Sequence, residues 1–372
     1  MVKRVVLLGS TGSIGVQVLE LIQVRQDIRV VALVGHNNIN LLVDQARKFC
    51  PEYVLSTNDS NYSLLSKMVS GQDMVKVLHG KTGLDNICSL NADIFFVAIS
   101  GIYALGSVVT LLQNDKTIGL VNKESIVCGG HIICQIKTGR IIPLDSEHYS
   151  LQQILSDDVT DVTITASGGS FFSRNKEYTI ENALKHPKWL MGKKITVDSA
   201  TMANKLLEVI EASCLFGMSK RDIHVVIHPE CIVHAIASCR GGLNKSVMFH
   251  PDMKMVLSYA LDYPEDNKFN SQPLNLAQIR SLNFYDVDYT KYPMMTLVHS
   301  NQHITINVAN EVAVEYFLRG LIKFQEIFYF VEKICMQSEY KEKDLQTVES
   351  IFDYADHVRR VTINDIEKYR IT

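Results

Sequence analysis

The first fifteen residues constrain the fold more than any other stretch. Val5-Val6-Leu7-Leu8 is a short apolar run that breaks into Gly9-Ser10-Thr11-Gly12-Ser13-Ile14-Gly15, and helical patterning runs from Ile14 to Gln23. A run without polar alternation must be buried on both faces, the condition of a parallel strand covered by helices. Similar runs recur at Val30-Val31-Ala32-Leu33-Val34, Ile94-Phe95-Phe96-Val97-Ala98 and Ile118-Gly119-Leu120-Val121. Apolar strands alternating with helical stretches predict an α/β fold, with an N-terminal Rossmann-like parallel-sheet domain over residues 1–125.

The 372 residues are enough for two or three domains at about 150 residues each. Over 126–262 strand signals (Asp161–Thr165 and His224–His228) mix with polar turns, and five of the eight prolines lie between 143 and 264. This zone reads as a central α/β catalytic domain. The stretch 263–290 reads as a linker. Residues 291–372 hold a single glycine, Gly320, and helical spacing through Val308–Leu318, so they read as a C-terminal helical domain.

Composition excludes several classes. With 47% hydrophobic and 21% charged residues, disorder and fibrous folds are ruled out. No apolar run approaches the roughly 20 residues of a membrane helix, so no membrane is expected. A net charge of −3 without a Lys/Arg block argues against nucleic acid. Neither a signal-peptide core nor an Arg- and Ser-rich transit segment stands at the N-terminus, and the eight cysteines show no CxxC pair or zinc spacing. The expectation is a cytoplasmic chain with reduced thiols.

Six segments suit chemistry. The GxxGxxG turn after the first strand lets the backbone approach a pyrophosphate at a helix N-terminus, although a purely structural turn uses the same residues. The second strand ends in Gly35-His36-Asn37-Asn38 without a carboxylate, which favours NADP over NAD unless this is an ordinary Gly-Asn turn. In Asp145-Ser146-Glu147, extended chain would point both carboxylates to one side, suiting Mg²⁺ or Mn²⁺; surface acidic pairs are also common. In Val197–Ile210, Asp198 or Ser199 reads as a helix N-cap, with Asn204, Lys205 and Glu208 near one helical face. Ser199 and Lys205 there suit a phosphate and Glu208 a metal, the alternative being a solvated Lys205–Glu208 ion pair. Ser167-Gly168-Gly169 after a strand suits an anion or a flexible turn. Asn122-Lys123-Glu124 ends a strand, where open sheets bind ligands.

Taken in order, the motifs resemble one family across nearly the whole chain. GSTGSIG (9–15), NKES (122–125), PLDSEH (143–148), ASGG (166–169), HPKWLMGKKITVDSATMANKLLEVIEA (186–212), HPECIVH (228–234), PDM (251–253) and ANEVAVEYFL (309–318) are similar to 1-deoxy-D-xylulose 5-phosphate reductoisomerases. The resemblance implies an NADPH- and Mg²⁺- or Mn²⁺-dependent enzyme of isoprenoid precursor synthesis. It would rearrange a phosphorylated ketose and then reduce the product to 2-C-methyl-D-erythritol 4-phosphate, working as a homodimer.

The same resemblance implies residue roles. Asp145, Glu147 and Glu208 would ligate the metal. Ser167, Ser199, Asn204 and Lys205 would bind the phosphate and neighbouring hydroxyls. Lys123 and Ser146 would contact the reacting end, and His186, Trp189 and Met191 would belong to a closing loop, with His186 in a catalytic role. Thr11, Gly12, Ser13 and Ile14 would hold the NADPH pyrophosphate and Gly35, His36 and Asn37 its adenosine phosphate, with Asn122, Glu124 and Gly192 also on the cofactor. Ser170, Ala203, Leu206, Lys254, Ile99-Ser100-Gly101 and a short segment before His186 depart from the usual family pattern. Two other readings stand beside this one: another NADP-dependent dehydrogenase, with Cys128 as nucleophile, and a non-catalytic dinucleotide sensor.

Overall fold

The computed structural model describes residues 2–70, 75–172, 177–189, 191–265, 268–338 and 344–371. Leu190 of the loop motif HPKWLMG and residues 173–176 of the short segment before His186 lie outside them. The chain divides into two compact units. One comprises residues 1–125, 135–145 and 252–271; the other comprises 126–134, 146–251 and 272–372. Residues 252–262, which the sequence reading placed in the central zone, thus join the first unit.

The first unit is built on a seven-stranded sheet. Its strands are β1 (Lys3–Leu8), β2 (Ile28–Gly35), β3 (Tyr53–Ser56), β4 (Lys76–Leu78), β5 (Ile94–Val97), β6 (Thr117–Leu120) and β7 (Arg140–Pro143). They lie in the order β4-β3-β2-β1-β5-β6-β7, and every pairing is parallel. The connecting helices are α1 (Ser13–Gln23), α2 (Ile39–Phe49), α3 (Tyr62–Val69), α4 (Gly80–Cys88), α5 (Leu105–Gln113) and the start of α6 (Lys123–Ile133). The apolar runs predicted as buried strands are β1, β2, β5 and β6, where Val5, Val6, Leu33, Val34 and Phe95 have no exposed surface. The order reverses between β1 and β5, so the crevice at their C-terminal ends is the switch point of a doubly wound sheet. This is the Rossmann-like architecture expected.

The second unit carries a four-stranded mixed sheet, β11-β10-β8-β9, formed by β8 (Val159–Ala166), β9 (Ile223–Ile227), β10 (Val233–Cys239) and β11 (Asn244–Met248). Two helices pack on it, α7 (Ser146–Ile154) and α10 (Ala203–Phe216). Leu151 of α7 and Val209 and Ala212 of α10 share one buried cluster with Val162, Ile164, Ala235 and Ala237. Each fully buried Leu, Ile or Val of that cluster contributes about 1.5–3 kcal/mol, which fixes both helices against the sheet. Between β8 and α10 lie α8 (Ile180–Ala183) and α9 (Lys193–Thr201). The order is completed by α11 (Met253–Asp262) of the first unit and by α12 (Leu276–Ile279), α13 (His303–Leu318), α14 (Phe324–Gln337) and α15 (Val348–Ile371) of the second. The three long helices form the C-terminal helical region. Among the described residues, no helix is long and apolar enough to cross a membrane.

Candidate active site

At the end of β1 the chain turns at once. Gly9 and Ser10 both donate their backbone N–H to Val34 O, at 2.9 and 2.8 Å, and Gly12 donates to Gly9 O. Gly9 has φ +94°, and a Cβ there would sit 2.5 Å from Ala98 O beyond β5, so glycine is required twice over. Helix α1 then starts with Gly12 as a cap that makes no side-chain hydrogen bond and with no acidic residue in its first turn. The first N–H groups of Ser13 and Ile14 are therefore presented to an anion. A Cβ on Gly35, at the end of β2, would touch Thr11 at 3.3 Å, so the two ends lie side by side. His36 Nδ1 is 2.8 Å from Thr57 Oγ1, and Asn58 donates to Asn37 Oδ1 at 2.9 Å.

Beyond β6, Asn122 ties neighbouring strand ends together. Its amide donates to Ile99 O, Gly101 O and the Glu124 carboxylate, each within 2.9 Å, and its oxygen accepts from Ser125 N–H. Lys123, buried at the start of α6, pairs with Asp145 at 2.9 Å. Asp145 sits just past β7, and Ser146 opens α7. The extended conformation expected for Asp145-Ser146-Glu147 is thus corrected: Glu147 lies in the first turn of a helix, across which Ser150 Oγ donates to Ser146 O at 2.7 Å.

In the second unit the carboxylates converge on one cation. Lys205 Nζ pairs closely with the Glu208 carboxylate and lies 3.8 Å from Glu147 Oε2. Asn204 donates to the other oxygen of Glu208, and Ser146 Oγ donates to Glu147 at 2.8 Å. Lys205 and Glu208 are buried, at 5% and 1% exposure, so the solvated ion pair left open by the sequence does not describe them. Three residues outside the predicted site support this cluster. His234 Nδ1 lies 3.5 Å from Glu147, His148 Nε2 is 2.9 Å from Glu208 O, and His148 Nδ1 is 3.2 Å from the buried Glu211 carboxylate. Their signal was present in the i,i+3 spacing of Glu208 and Glu211 and in the histidines that end PLDSEH and HPECIVH.

Asp198 and Ser199 are not an N-cap. They occupy the last turn of α9, whose cap is Gly192; the break falls at Met202, which adopts a left-handed φ of 64° before α10 begins. The helix starts early because Thr196 caps back onto Gly192 O at 2.8 Å and Lys194 pairs with Asp198 at 2.7 Å. Asp198 is 2% exposed, and Asn310 of α13 donates to it at 2.8 Å. The glycine turn after β8 packs on this segment: a Cβ on Gly169, at φ +68°, would sit 2.5 Å from Ser199 O. Ser167 and Ser199 are thereby brought to one place.

Ser167 is oriented by His186. Trp189 and Lys188 donate their backbone N–H to His186 Nδ1, at 2.9 and 3.2 Å, so Nδ1 is the acceptor and Nε2 carries the proton. Nε2–H then donates to Ser167 Oγ at 2.8 Å, and Gly169 N–H donates to the same oxygen at 3.0 Å. Ser167 keeps its own O–H to donate. Burial pushes His186 down to about 4, which keeps this neutral arrangement at physiological pH. Trp189 lies edge-on to His234, with ring centroids 6.4 Å apart, and Met191 and Gly192 lead from there into α9. Cys128 is 1% exposed within α6, which sets it apart from any solvent-borne substrate.

Family models divide the chain in the same order as these segments. Residues 5–130 match 1-deoxy-D-xylulose 5-phosphate reductoisomerase, residues 141–216 its C-terminal domain, and residues 248–361 the DXP reductoisomerase C-terminal domain. The chain belongs to the 1-deoxy-D-xylulose 5-phosphate reductoisomerase family. It is 38% identical to the reductoisomerase of Sulfurihydrogenibium sp. (strain YO3AOP1), over 99% of this chain and 100% of that one. The reductoisomerase of Wolbachia pipientis wMel is also 38% identical, with 99% of each chain covered. Among solved structures, the Zymomonas mobilis reductoisomerase in complex with NADPH has a TM-score of 0.90 at 29% identity, covering 99% of this chain and all of that one. A reductoisomerase in complex with NADPH, fosmidomycin and magnesium has a TM-score of 0.91 at 33% identity, covering 98% of each.

Proposed function

We propose that the chain is an NADPH- and divalent-metal-dependent oxidoreductase. It converts 1-deoxy-D-xylulose 5-phosphate to 2-C-methyl-D-erythritol 4-phosphate, by skeletal rearrangement and then hydride transfer, in isoprenoid precursor synthesis. The observation that carries this reading is the convergence of Glu147 and Glu208 on Lys205, in a chain matched end to end by reductoisomerases.

The residues fit both groups. Glu147 and Glu208 are hard oxygen donors whose charge already requires a cation nearby, and Asp145 supplies a third carboxylate, the donor chemistry of Mg²⁺ or Mn²⁺. The sterically closed Gly9 turn and the uncapped start of α1 fit a pyrophosphate. When bound, the metal supplies Lewis acidity and NADPH supplies the hydride.

The chain's own residues do the rest. Ser167, Ser199, Asn204 and Lys205 bind the phosphate and adjacent hydroxyls; Ser167 donates the proton that its two contacts leave unused. Lys123 and Ser146 hold the reacting end. His186, Trp189 and Met191 cover it and exclude water, which protects a reactive intermediate. Thr11, Gly12, Ser13 and Ile14 take the cofactor's pyrophosphate, Gly35, His36 and Asn37 its adenosine phosphate, and Asn122, Glu124 and Gly192 complete its contacts. The enzyme works in the cytoplasm as a homodimer, with cofactor (1–125), catalytic (126–262) and C-terminal helical (291–372) parts joined through 263–290.

The test is NADPH oxidation followed by absorbance with 1-deoxy-D-xylulose 5-phosphate and Mn²⁺ or Mg²⁺, with and without EDTA. Turnover that EDTA abolishes and added metal restores is expected. NADPH binding without turnover at any metal concentration would return the chain to the sensor reading.

A further inference from the structure

Two cysteines far apart in sequence meet in the second unit. Cys134 follows α6, its N–H still bonded to Gly130 O at 2.8 Å, and Cys214 lies in the last turn of α10. Their sulfurs are 2.7 Å apart, well inside van der Waals contact, and both residues are in the thiol form. Space for this approach is built into α6: a Cβ on Gly130 would lie 2.7 Å from Cys214 Sγ, so only glycine leaves room for the sulfur. Cys134 is exposed and Cys214 partly so, whereas Cys88, Cys128, Cys231, Cys239 and Cys335 are buried. Cys50 is exposed in the first unit.

We propose that Cys134 and Cys214 are an oxidation site, a dithiol that low-molecular-weight disulfides convert to an intramolecular disulfide. The exposed partner reacts first. Cys134, as thiolate, attacks one sulfur of the reagent; a mixed disulfide forms and one reagent thiolate leaves. Cys214, deprotonated in turn, attacks the Cys134 sulfur and expels the second reagent thiolate. The protein loses two electrons and two protons, and the reagent is reduced to two thiols. Contact with the Cys134 thiol and burial both hold Cys214 above the usual thiol range, so it acts second, as the resolving group. The bond would fasten the C-terminal end of the helix whose opening turns carry Asn204, Lys205 and Glu208 to the segment following α6. Closing a loop between residues 134 and 214 restricts the unfolded chain, so the oxidised form melts at a higher temperature.

The experiment uses the full chain as Cys50→Ser, which removes the other exposed thiol and leaves seven of the eight. After oxidised glutathione, two fewer thiols titrate in denaturant, the intact mass falls by about 2 Da for the two hydrogens lost, and peptide mapping finds residue 134 joined to 214. Dithiothreitol restores all seven, and the midpoint of thermal unfolding drops back with them. In Cys214→Ser on the same background, Cys134 stops at the glutathione adduct, and in Cys134→Ser no thiol is lost. Seven thiols surviving oxidation, a lasting adduct with both cysteines present, or a linkage elsewhere would each overturn the proposal. Circular dichroism of the serine variants separates these outcomes from misfolding.

Discussion

Asn310 of α13 donates its side-chain N–H to the buried Asp198 carboxylate of α9, 2.8 Å away. Asp198 precedes Ser199, and its other oxygen is held by Lys194. Removing the donor leaves a buried carboxylate oxygen without its partner, a loss of about 1–3 kcal/mol. Asn310→Ala is expected to lower stability by that amount, and Asn310→Asp by more, because it sets two carboxylates face to face. Urea unfolding midpoints of the two variants check the order; equal midpoints would mean that the pair carries no weight.

Lys205 supplies the positive charge that Glu147 and Glu208 share. A divalent ion taken up by those carboxylates competes with this ammonium, while the substrate phosphate needs it. Lys205→Met should therefore tighten Mn²⁺ binding by about tenfold or more, as expected for removing a like charge roughly 4 Å away. It should also raise KM for the phosphorylated ketose by at least as much. Calorimetric titration with Mn²⁺ and steady-state kinetics read the two effects separately. Weaker Mn²⁺ binding in the variant would show that Lys205 organises the carboxylates rather than competing for them.

What could be read in the sequence follows burial. β1, β2, β5 and β6 were legible because strands covered on both faces leave continuous apolar runs. β4 and β7 were not, being sheet edges that carry Lys76 and Arg140, and β3 offers only Val54-Leu55 between Tyr53 and Ser56. Glu147, Asn204 and Glu208 around Lys205 were named from their motifs, His148, His234 and Glu211 were not, and two local conformations were misread. Nothing local marks Met202 as left-handed, since that φ suits glycine or asparagine better. The break is imposed from outside, by Asn310 on Asp198 and by Gly169 against the Ser199 backbone. Glu147 was placed on extended chain because a helix starting at Ser146 has no apolar periodicity to announce it: SEHYSLQQI is mostly polar, and its buried face includes Ser146, His148 and Ser150.

His303 gives the fold a pH dependence of definite sign. Its Nε2–H donates to Ser300 O at 3.0 Å, and Lys220 donates to the same oxygen at 2.6 Å. Burial, with Lys220 nearby, pushes His303 down to about 4. An unfolded histidine titrates near 6.5, so below that pH the unfolded chain binds a proton that the folded chain refuses. The contribution of His303 is fully present above about 6.5, declines as pH falls toward 4, and is then level. Between pH 6.5 and 5 the melting temperature of His303→Gln should fall less steeply than that of the parent. Parallel curves would show that another group sets the slope.

Gly169 joins the two serines of the proposed phosphate site. Its φ of +68° already disfavours any side chain, and a Cβ would meet Ser199 O at 2.5 Å and Ala200 Cα at 2.6 Å, backbone that cannot swing aside. Gly169→Ala must therefore push α9 and the Ser167 turn apart, at about 1–3 kcal/mol of backbone strain. Gly192 is the control, because a Cβ there meets nothing within 4 Å and its φ is ordinary for any residue. Gly169→Ala should raise KM for the phosphorylated substrate by about tenfold, the equivalent of 1.4 kcal/mol, with KM for NADPH little changed. Gly192→Ala should spare the substrate KM. If both variants raise it alike, the contact between Gly169 and Ser199 is not what holds the phosphate end of the site together.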